Sequence, residues 1–549
     1  MSPHSFYEHP VFPYQRFPDQ DNSVTSHHPV IVVGGGLVGL TTAIDLLTQG
    51  ISVVVLEKGN TVSEGSRSIC QAKRTLEIWD RLGAASPMVE KGITWNVGKV
   101  FHKKDLLYEF DLLPDRGHQM PAFINLQQYY VEECLLNRLH ALGGTVRWGH
   151  ALDNVAVEED IAQVTVLTPD GPYCLTCDWL IACDGARSSV RRNLGVEFTG
   201  EVFEDKFLIT DVKMKAKFPS ERWFWFEPPF HDGQTALLHR QADDVWRIDL
   251  QLGWDADIEA EKKPERVFPR IRAMLGHDVD FDPEWISLYV FQCRTLQRYV
   301  HGPVIFAGDA AHQVSPFGAR GGNGGVQDAD NLVWKLKLVI AGKAPKTLLH
   351  SYSEERVYAA KENIRHSTRA TDFMTPKSTV SRRVRDTVLQ LASKYQFARA
   401  LVNSGRLSVP AHYRESSLNT CDEDIFDCLL APGSPAIDAP VDNMGVSTWW
   451  LSLCGGRFMV VVYKPDKKVP FDAVETVVGK VDIIRINQDA VDDKEGLLKE
   501  RYDLQPGTTY LLRPDQIIAG RWRTFSQEKI MQAVHTAAGL DKSNGTQHG

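Results

Sequence analysis

Glycine and carboxylate occur together at three places in this chain, and that pairing has a definite chemical use. Residues 30–58 read VIVVGGGLVGLTTAIDLLTQGISVVVLEK, with Gly34, Gly36 and Gly39 spaced as GxGxxG and Glu57 18 residues beyond Gly39. Residues 179–195 read WLIACDGARSSVRRNLG, with Asp184 ahead of Gly185. Residues 308–336 read GDAAHQVSPFGARGGNGGVQDADNLVWKL, with Asp309 after Gly308 and six glycines in the first eighteen residues. Bare backbone beside a carboxylate suits a ligand that carries both phosphates and hydroxyls. Amide N–H groups reach the phosphates, and carboxylates accept from the hydroxyls.

These groups need rigid elements to aim them. Val30 to Val33 is an apolar run of the kind that forms a buried parallel strand. Leu40, Ala43, Ile44 and Leu47 follow at helical spacing, Gly50 stops that helix, and Ile51 to Leu56 makes a second strand. Gly34 permits the tight turn, Gly36 admits a pyrophosphate, and Gly39 allows close helix–strand packing. With strand, helix, second strand and acidic residue in register, the fingerprint is strong. Leu37 and Val38, between the glycines, and Lys58, beside Glu57, belong to the same expected site. An acidic residue at Glu57 disfavours a 2′-phosphate, which leaves FAD or NAD. The strands before Asp184 and Gly308 end the same way, so one long ligand contacted from several sides is expected. After its glycines the third stretch turns helical, with Val326, Ala329, Leu332, Val333 and Leu336 on one face.

Bulk composition narrows the class. At 549 residues the chain is too long for one core. Hydrophobic residues make up 43% and charged residues 24%, an ordinary globular balance. The net charge of -9 argues against nucleic acid or an anionic membrane as partner. Residues 1–29 lack the apolar core of a signal peptide, and no run approaches the length of a membrane helix. Nine scattered cysteines fit a reducing cytoplasm, the expected location. Cys174 and Cys177 form a CxxC, but in an alternating, strand-like context without a second ligand pair, so neither redox chemistry nor a metal site is expected.

Taken in order, GGGLVGL with Glu57, CDGARSSVRRNLG and the 308–336 stretch resemble the class A flavoprotein monooxygenases, the aromatic-ring hydroxylases. The likeness is greatest to the phenol hydroxylase branch, which includes pentachlorophenol monooxygenase and 3-(3-hydroxyphenyl)propionate hydroxylase. It implies FAD as the bound dinucleotide, NADH or NADPH as hydride donor and O2 as co-substrate. By the resemblance Arg67 reaches the pyrophosphate, Gln128 lies on the flavin side, Asp184 belongs to the Asp-Gly motif and Asp309 holds the ribityl chain. Gly322 and Asn323 are expected near the pyrimidine ring, with the following helix aimed at it and Arg320 adding a full positive charge. Pro316 lies where family members offer a carbonyl to the substrate hydroxyl. Pro316 and Arg320 are therefore the catalytic candidates. His312, between a strand end and a helix, reads as a packing residue rather than a base.

The implied fold is α/β: a Rossmann-like, GR2-type FAD-binding domain like that of para-hydroxybenzoate hydroxylase, with an inserted antiparallel-sheet substrate domain and a thioredoxin-like C-terminal domain. The expected layout is an N-terminal arm (1–28), the first part of the FAD domain (29–204), the substrate sheet (205–302) and the FAD domain's return (303–410). A linker (411–445), the C-terminal domain (446–540) and a disordered tail (541–549) follow. WFWFEPPF, TALLHR and VWRIDLQL alternate as antiparallel strands do. They nominate Trp225, His239, Gln241 and Arg247 as substrate contacts. The lone Cys454 makes redox exchange in the C-terminal domain unexpected, so a structural or dimer-forming role is the plain reading. The implied activity is hydroxylation of a small phenolic substrate, ortho or para to its hydroxyl, through a flavin C4a-hydroperoxide. Alternatives are Baeyer–Villiger insertion, epoxidation, polycyclic phenol hydroxylation, or FAD binding without catalysis.

Overall fold

The structure, a computed structural model, describes residues 7–540 apart from 22–23, 66, 217, 232, 254, 277–278, 316–317, 403–408, 465–468, 470–471 and 489–490. Pro316 lies outside the described residues, as do residues 1–6 and 541–549.

The first sheet is built on the apolar strand Ser26–Val33. It pairs in parallel with Val53–Glu57 on one side and with Gly171–Ala182 on the other. Val146–Trp148 extends the sheet beyond Val53–Glu57, and Val304–Phe306 extends it beyond Gly171–Ala182. Because these five strands run the same way, the turns at Gly34, Glu57, Asp184 and Gly308 leave along one edge. Residues nearly 300 positions apart thereby meet. Val30, Ile31 and Val32 are fully buried, and each such side chain removed from water is worth about 1.5–3 kcal/mol. Helices Leu37–Thr48 and Gly321–Ile340 pack on each other beside this edge. Gly325 makes that packing possible: a Cβ there would sit 2.5 Å from Val38 Cγ2 and 3.1 Å from Gly308 Cα.

The second sheet is antiparallel except where Arg222–Phe226 joins Val97–His102 in parallel. In spatial order its strands are His312–Gln313, Asp282–Thr295, Thr199–Lys213, Val245–Leu252, Thr235–Arg240, Arg222–Phe226, Val97–His102 and Asp105–Asp111. The last two precede the others by about a hundred residues, a non-local pairing that the chain's local pattern does not announce. Ala236, Leu238, Trp246 and Ile248 pack on the outer face against Val267 and Ile271 of helix Pro264–Leu275. Val100, Phe207, Phe226 and Leu237 pack on the inner face with Met374 and Leu389.

A third, mixed sheet carries Met459–Tyr463 between Gly479–Ile486 and Thr509–Leu512. It is fixed to the first unit by buried charges. Arg74 donates to Asp330, to Gln516 and to the Asp515 carbonyl. Arg513 pairs with Glu355 of the long helix Leu348–Met374. Among the described residues no helix is long and apolar enough to cross a membrane.

Candidate active site

The turn after the first strand is shaped by close contacts. Gly34 has φ +109°, and a Cβ on it would lie 2.4 Å from the Cys183 carbonyl oxygen. A Cβ on Gly39 would lie 1.9 Å from the Gly34 oxygen. Gly36, the N-cap of the first helix, has room in front of it: its nearest neighbour is Glu132 Oε1 at 3.7 Å. A diphosphate fits this cradle, where the helix leaves its first N–H groups without internal acceptors. Leu37 is buried, Val38 packs under Gly308, and Lys58 points outward.

The acidic groups are poised rather than free. Glu57 accepts from Gly35 N at 2.7 Å and from Gly59 N at 2.8 Å, which holds both oxygens beside the cradle. Asp184 Oδ2 accepts from Ser189 N and Val190 N, while its Oδ1 is buried with no partner in the protein. Burial raises its pKa above the ordinary carboxylate value. Asp309 is exposed to solvent yet surrounded by protein, and desolvation raises its pKa, against the pull of His312 and Arg67. Arg67, also exposed, is thus near enough to act on it. Gln128 accepts from Ser68 N and donates to Ser63 Oγ and Glu132 Oε1. Glu132 is a site residue that the sequence reading missed. It is buried against Ser63 N and Oγ, one helical turn from Gln128, and burial raises its pKa. A glutamate four residues after a glutamine on one helix was the available signal.

The glycine-rich loop is braced from below. Asp328 accepts from Gly308 N at 2.9 Å and meets His312 at 2.7 Å and Arg356 at 2.6 Å. Burial alone would raise Asp328, but His312 and Arg356 outweigh it and hold the carboxyl below its ordinary range. His312 is accordingly a buried packing and bracing residue. Arg320, the N-cap of helix Gly321–Ile340, is buried rather than a surface charge. A Cβ on Gly322 would meet Ser68 Oγ at 2.7 Å, so a larger residue there would turn the serine hydroxyl away. The Asn323 side chain accepts from Ala72 N and donates to the carbonyls of Cys70 and Ala319.

Between the inner face of the second sheet and the long helix lies a cavity of about 610 Å³. Val100, Phe224, Phe226 and Phe373 give it apolar walls, and Arg222 and Arg320 add charge. None of the four substrate candidates borders it. Trp225 is on the wrong face: its register partners are Phe101 and Ala236, and it packs outside. In a WFWF run both phases of the strand are aromatic, so the pattern cannot tell in from out. Gln241 and Arg247 both donate to Asp211, which commits them to the sheet. His239 is buried on the inner face of the sheet, beside Arg222 of the cavity lining.

The residues present fit FAD. The glycine cradle has room for a pyrophosphate, Asp184 Oδ1 is buried with no partner in the protein, and exposed Asp309 and Arg67 lie close enough for the arginine to act on the carboxylate. Comparison with known proteins agrees. Residues 27–367 match the model of the FAD binding domain family. The chain is 32% identical over 352 residues to a flavin-dependent monooxygenase of Mycobacteroides abscessus, covering 60% of this chain and 71% of the relative. It is 24% identical over 520 residues to the 3-(3-hydroxy-phenyl)propionate/3-hydroxycinnamic acid hydroxylase of Mycolicibacterium smegmatis, covering 89% and 90%. The solved ternary complex of aklavinone-11 hydroxylase with FAD and aklavinone has the same fold, with TM-score 0.75 and 22% identity over 94% of this chain and all of that one. The chain belongs to the FAD binding domain family and is a class A flavoprotein monooxygenase, an FAD-dependent aromatic-ring enzyme.

Proposed function

We propose that this protein hydroxylates a phenolic ring, with NADH or NADPH as reductant, in the cytoplasm. The observation that carries the reading is the apolar cavity opening beside Arg320 at the N-terminus of helix Gly321–Ile340. Bound FAD supplies hydride acceptance and oxygen activation. The protein's own residues do the rest. Gly34, Gly36 and Gly39 with Glu57, Lys58, Leu37 and Val38 hold the adenosine and pyrophosphate. Arg67, Gln128, Asp184 and Asp309 hold the middle of the cofactor. The dipole of helix Gly321–Ile340 and Arg320 stabilise negative charge on the ring. Phe224, Phe226 and Phe373 exclude water, which limits wasteful peroxide release. Pro316 keeps its proposed place near the substrate hydroxyl.

Cavity size favours one variant of this reading. About 610 Å³ lies well inside the range for drug-sized ligands, so a polycyclic phenol fits better than a single ring. The aklavinone complex is a precedent for the fold, and the hydroxyphenylpropionate relative for a monocyclic acid. The C-terminal unit is read as a thioredoxin-like domain without redox function, since burial pushes the Cys454 thiol well up.

The test is NADH and NADPH oxidation by the purified holoenzyme over hydroxyphenyl acids, halophenols, naphthols and hydroxyanthraquinones, with product and peroxide assayed together. A hydroxylated product matching the reductant consumed supports the proposal. Slow peroxide formation with every compound overturns it.

A further inference from the structure

Three buried polar atoms on the inner face of the second sheet have no hydrogen-bond partner in the protein: Arg222 Nη1, His239 Nδ1 and Asp249 Oδ1. They come from three adjacent strands. Arg222 stands one step beyond the Trp223–Leu238 pair, abreast of His239. His239 pairs with Arg247, and Asp249 is two residues further along that strand, opposite Leu237. Leu237 belongs to the inner core with Val100 and Phe226, whereas Leu238 and Ile248 belong to the outer one. Arg222, His239 and Asp249 therefore share the inner face. Directly opposed residues on a sheet lie about 5 Å apart and diagonal ones about 7–8 Å, so one small group can reach all three.

Their surroundings locate that group. Arg222 also lines the cavity. Below them, the Cys70 thiol feels the charges of Arg222, Arg247 and Asp249, and the Cys70 carbonyl is held by Asn323 in the first turn of helix Gly321–Ile340. Arg222 thus joins this cluster to the cavity, with His239 and Asp249 beside it on the same face of the sheet, outside the cavity lining. Neighbouring Asp211 provides the contrast, since Arg247 and Gln241 occupy it. Each buried polar atom left unpaired loses its hydration without a replacement. Three together beside an apolar cavity make sense as a site completed by its ligand.

Resting on the hydroxylase reading above, we infer that Arg222, His239 and Asp249 form the polar end of the substrate site, with Asp249 accepting the proton of the substrate's ring hydroxyl. The O–H bond breaks, its electron pair stays on the phenolic oxygen, and the proton forms a new O–H bond on the Asp249 carboxylate. Arg222 holds the resulting oxyanion, and the added electron density activates the ring. His239 meets a second oxygen on the neighbouring ring position. It stays neutral, because burial and then the Arg222 and Arg247 charges lower its pKa well below the ordinary value. The substrate class is a phenol with a carbonyl, carboxyl or hydroxyl oxygen next to the reacting hydroxyl and an apolar remainder.

The charges facing Asp249 are Arg247 on its own strand, Asp211 on one neighbouring strand, Arg222 and His239 across the sheet, and Cys70 from below. Burial, moderated by Arg247 and reinforced by Asp211, lifts Asp249 to about 6. The carboxylate, the accepting form, is therefore present above that pH.

The probe is 5-nitrosalicylate, whose ionised hydroxyl absorbs visible light, with 4-nitrophenol as the control lacking the neighbouring oxygen. Holoenzyme is titrated with each at neutral pH. The expected result is at least tenfold tighter binding of nitrosalicylate and growth of its phenolate band. Asp249→Asn should bind without the band, Asp249→Glu should restore it, and Arg222→Met should weaken binding tenfold or more. An undiminished band in Asp249→Asn, or unchanged affinity in Arg222→Met, overturns the inference. If Asp249→Asn does not retain FAD, the Arg222→Met affinity and the nitrosalicylate preference decide the matter. With whichever phenol is turned over, wild-type kcat/KM should rise through about pH 6, and Asp249→Asn should lack that limb. Turnover with an unchanged limb sinks this inference alone. Binding signatures without turnover of any phenol sink the hydroxylase reading alone.

Discussion

Arg513, in the loop after the last sheet's strand Thr509–Leu512, donates both arms of its guanidinium to Glu355 of the long helix, at 2.6 and 3.0 Å. Lys335 reaches the same carboxylate at 2.8 Å, and Arg513 also meets Asp515. These groups are buried. The pair joins two units that local sequence would let drift apart, and it lies on the back of the helix that carries the glycine-rich loop.

Removing one partner of this pair should be costly. Glu355→Gln leaves buried Lys335 without its counter-charge and Arg513 with Asp515 alone, which costs about 3–5 kcal/mol. Urea unfolding followed by tryptophan fluorescence reads the loss. The double change of Glu355 and Lys335 to Met should recover most of it, because Arg513 keeps Asp515 and no charge is then left unpaired.

The three glycines of the cradle should separate by variant. Gly39→Ala places a Cβ 1.9 Å from the Gly34 oxygen and should destabilise the apoprotein. Gly36→Val meets no protein atom closer than 3.7 Å from its Cβ, so the fold should survive. FAD affinity should nevertheless fall by at least about tenfold, or about 1.4 kcal/mol. Bound flavin per protein and the apoprotein's thermal transition check both statements.

Glu284 supplies a pH dependence. Burial, reinforced by Asp211, raises it to about 7, while a hydrogen bond from Tyr129 acts the other way. A carboxyl raised in the folded state contributes stability below its unfolded value, near 4.3, and loses it as pH rises through about 7. Glu284→Gln should therefore gain thermal stability relative to wild type at pH 8, and the gap should close as the pH falls below 5. A gap that does not vary with pH would exclude this cause.

Arg385 ties helix Thr379–Ala392 to Glu227, in the turn after Arg222–Phe226, across the cavity rim. Arg385→Ala should loosen this cover and admit water. The expected outcome is more peroxide and less hydroxylated product per NAD(P)H, with FAD content unchanged. Product yield equal to wild type would exclude a covering role.

The turns and strand ends of the expected cofactor site were legible in the sequence, and the facing of the second sheet was not. The GxGxxG turn, Glu57, Asp184 and Asp309 are local devices: each lies where an apolar strand ends, and glycine alone fits the contacts at Gly34 and Gly39. The proposed polar end of the substrate site depends on pairing. Whether Trp225 or Phe224 faces inward is set by register with Phe101 and Ala236, strands that the aromatic run itself cannot phase. Glu132 was within reach of a reading of helical spacing, since Gln128 stands one turn away on the same helix. Asn323, expected in a loop ahead of the helix, lies in its first turn, and its side chain went to Cys70, Ala72 and Ala319, partners about 250 positions distant except the last.

By itself, then, the sequence determined the strand ends, the glycine turns and the family they imply, because those rest on backbone sterics within a few residues. Only the tertiary structure decided which face of the second sheet meets the cavity, which charges are spent on each other and which are left to meet a ligand. Such outcomes follow from register and burial between distant strands, and no local pattern encodes them.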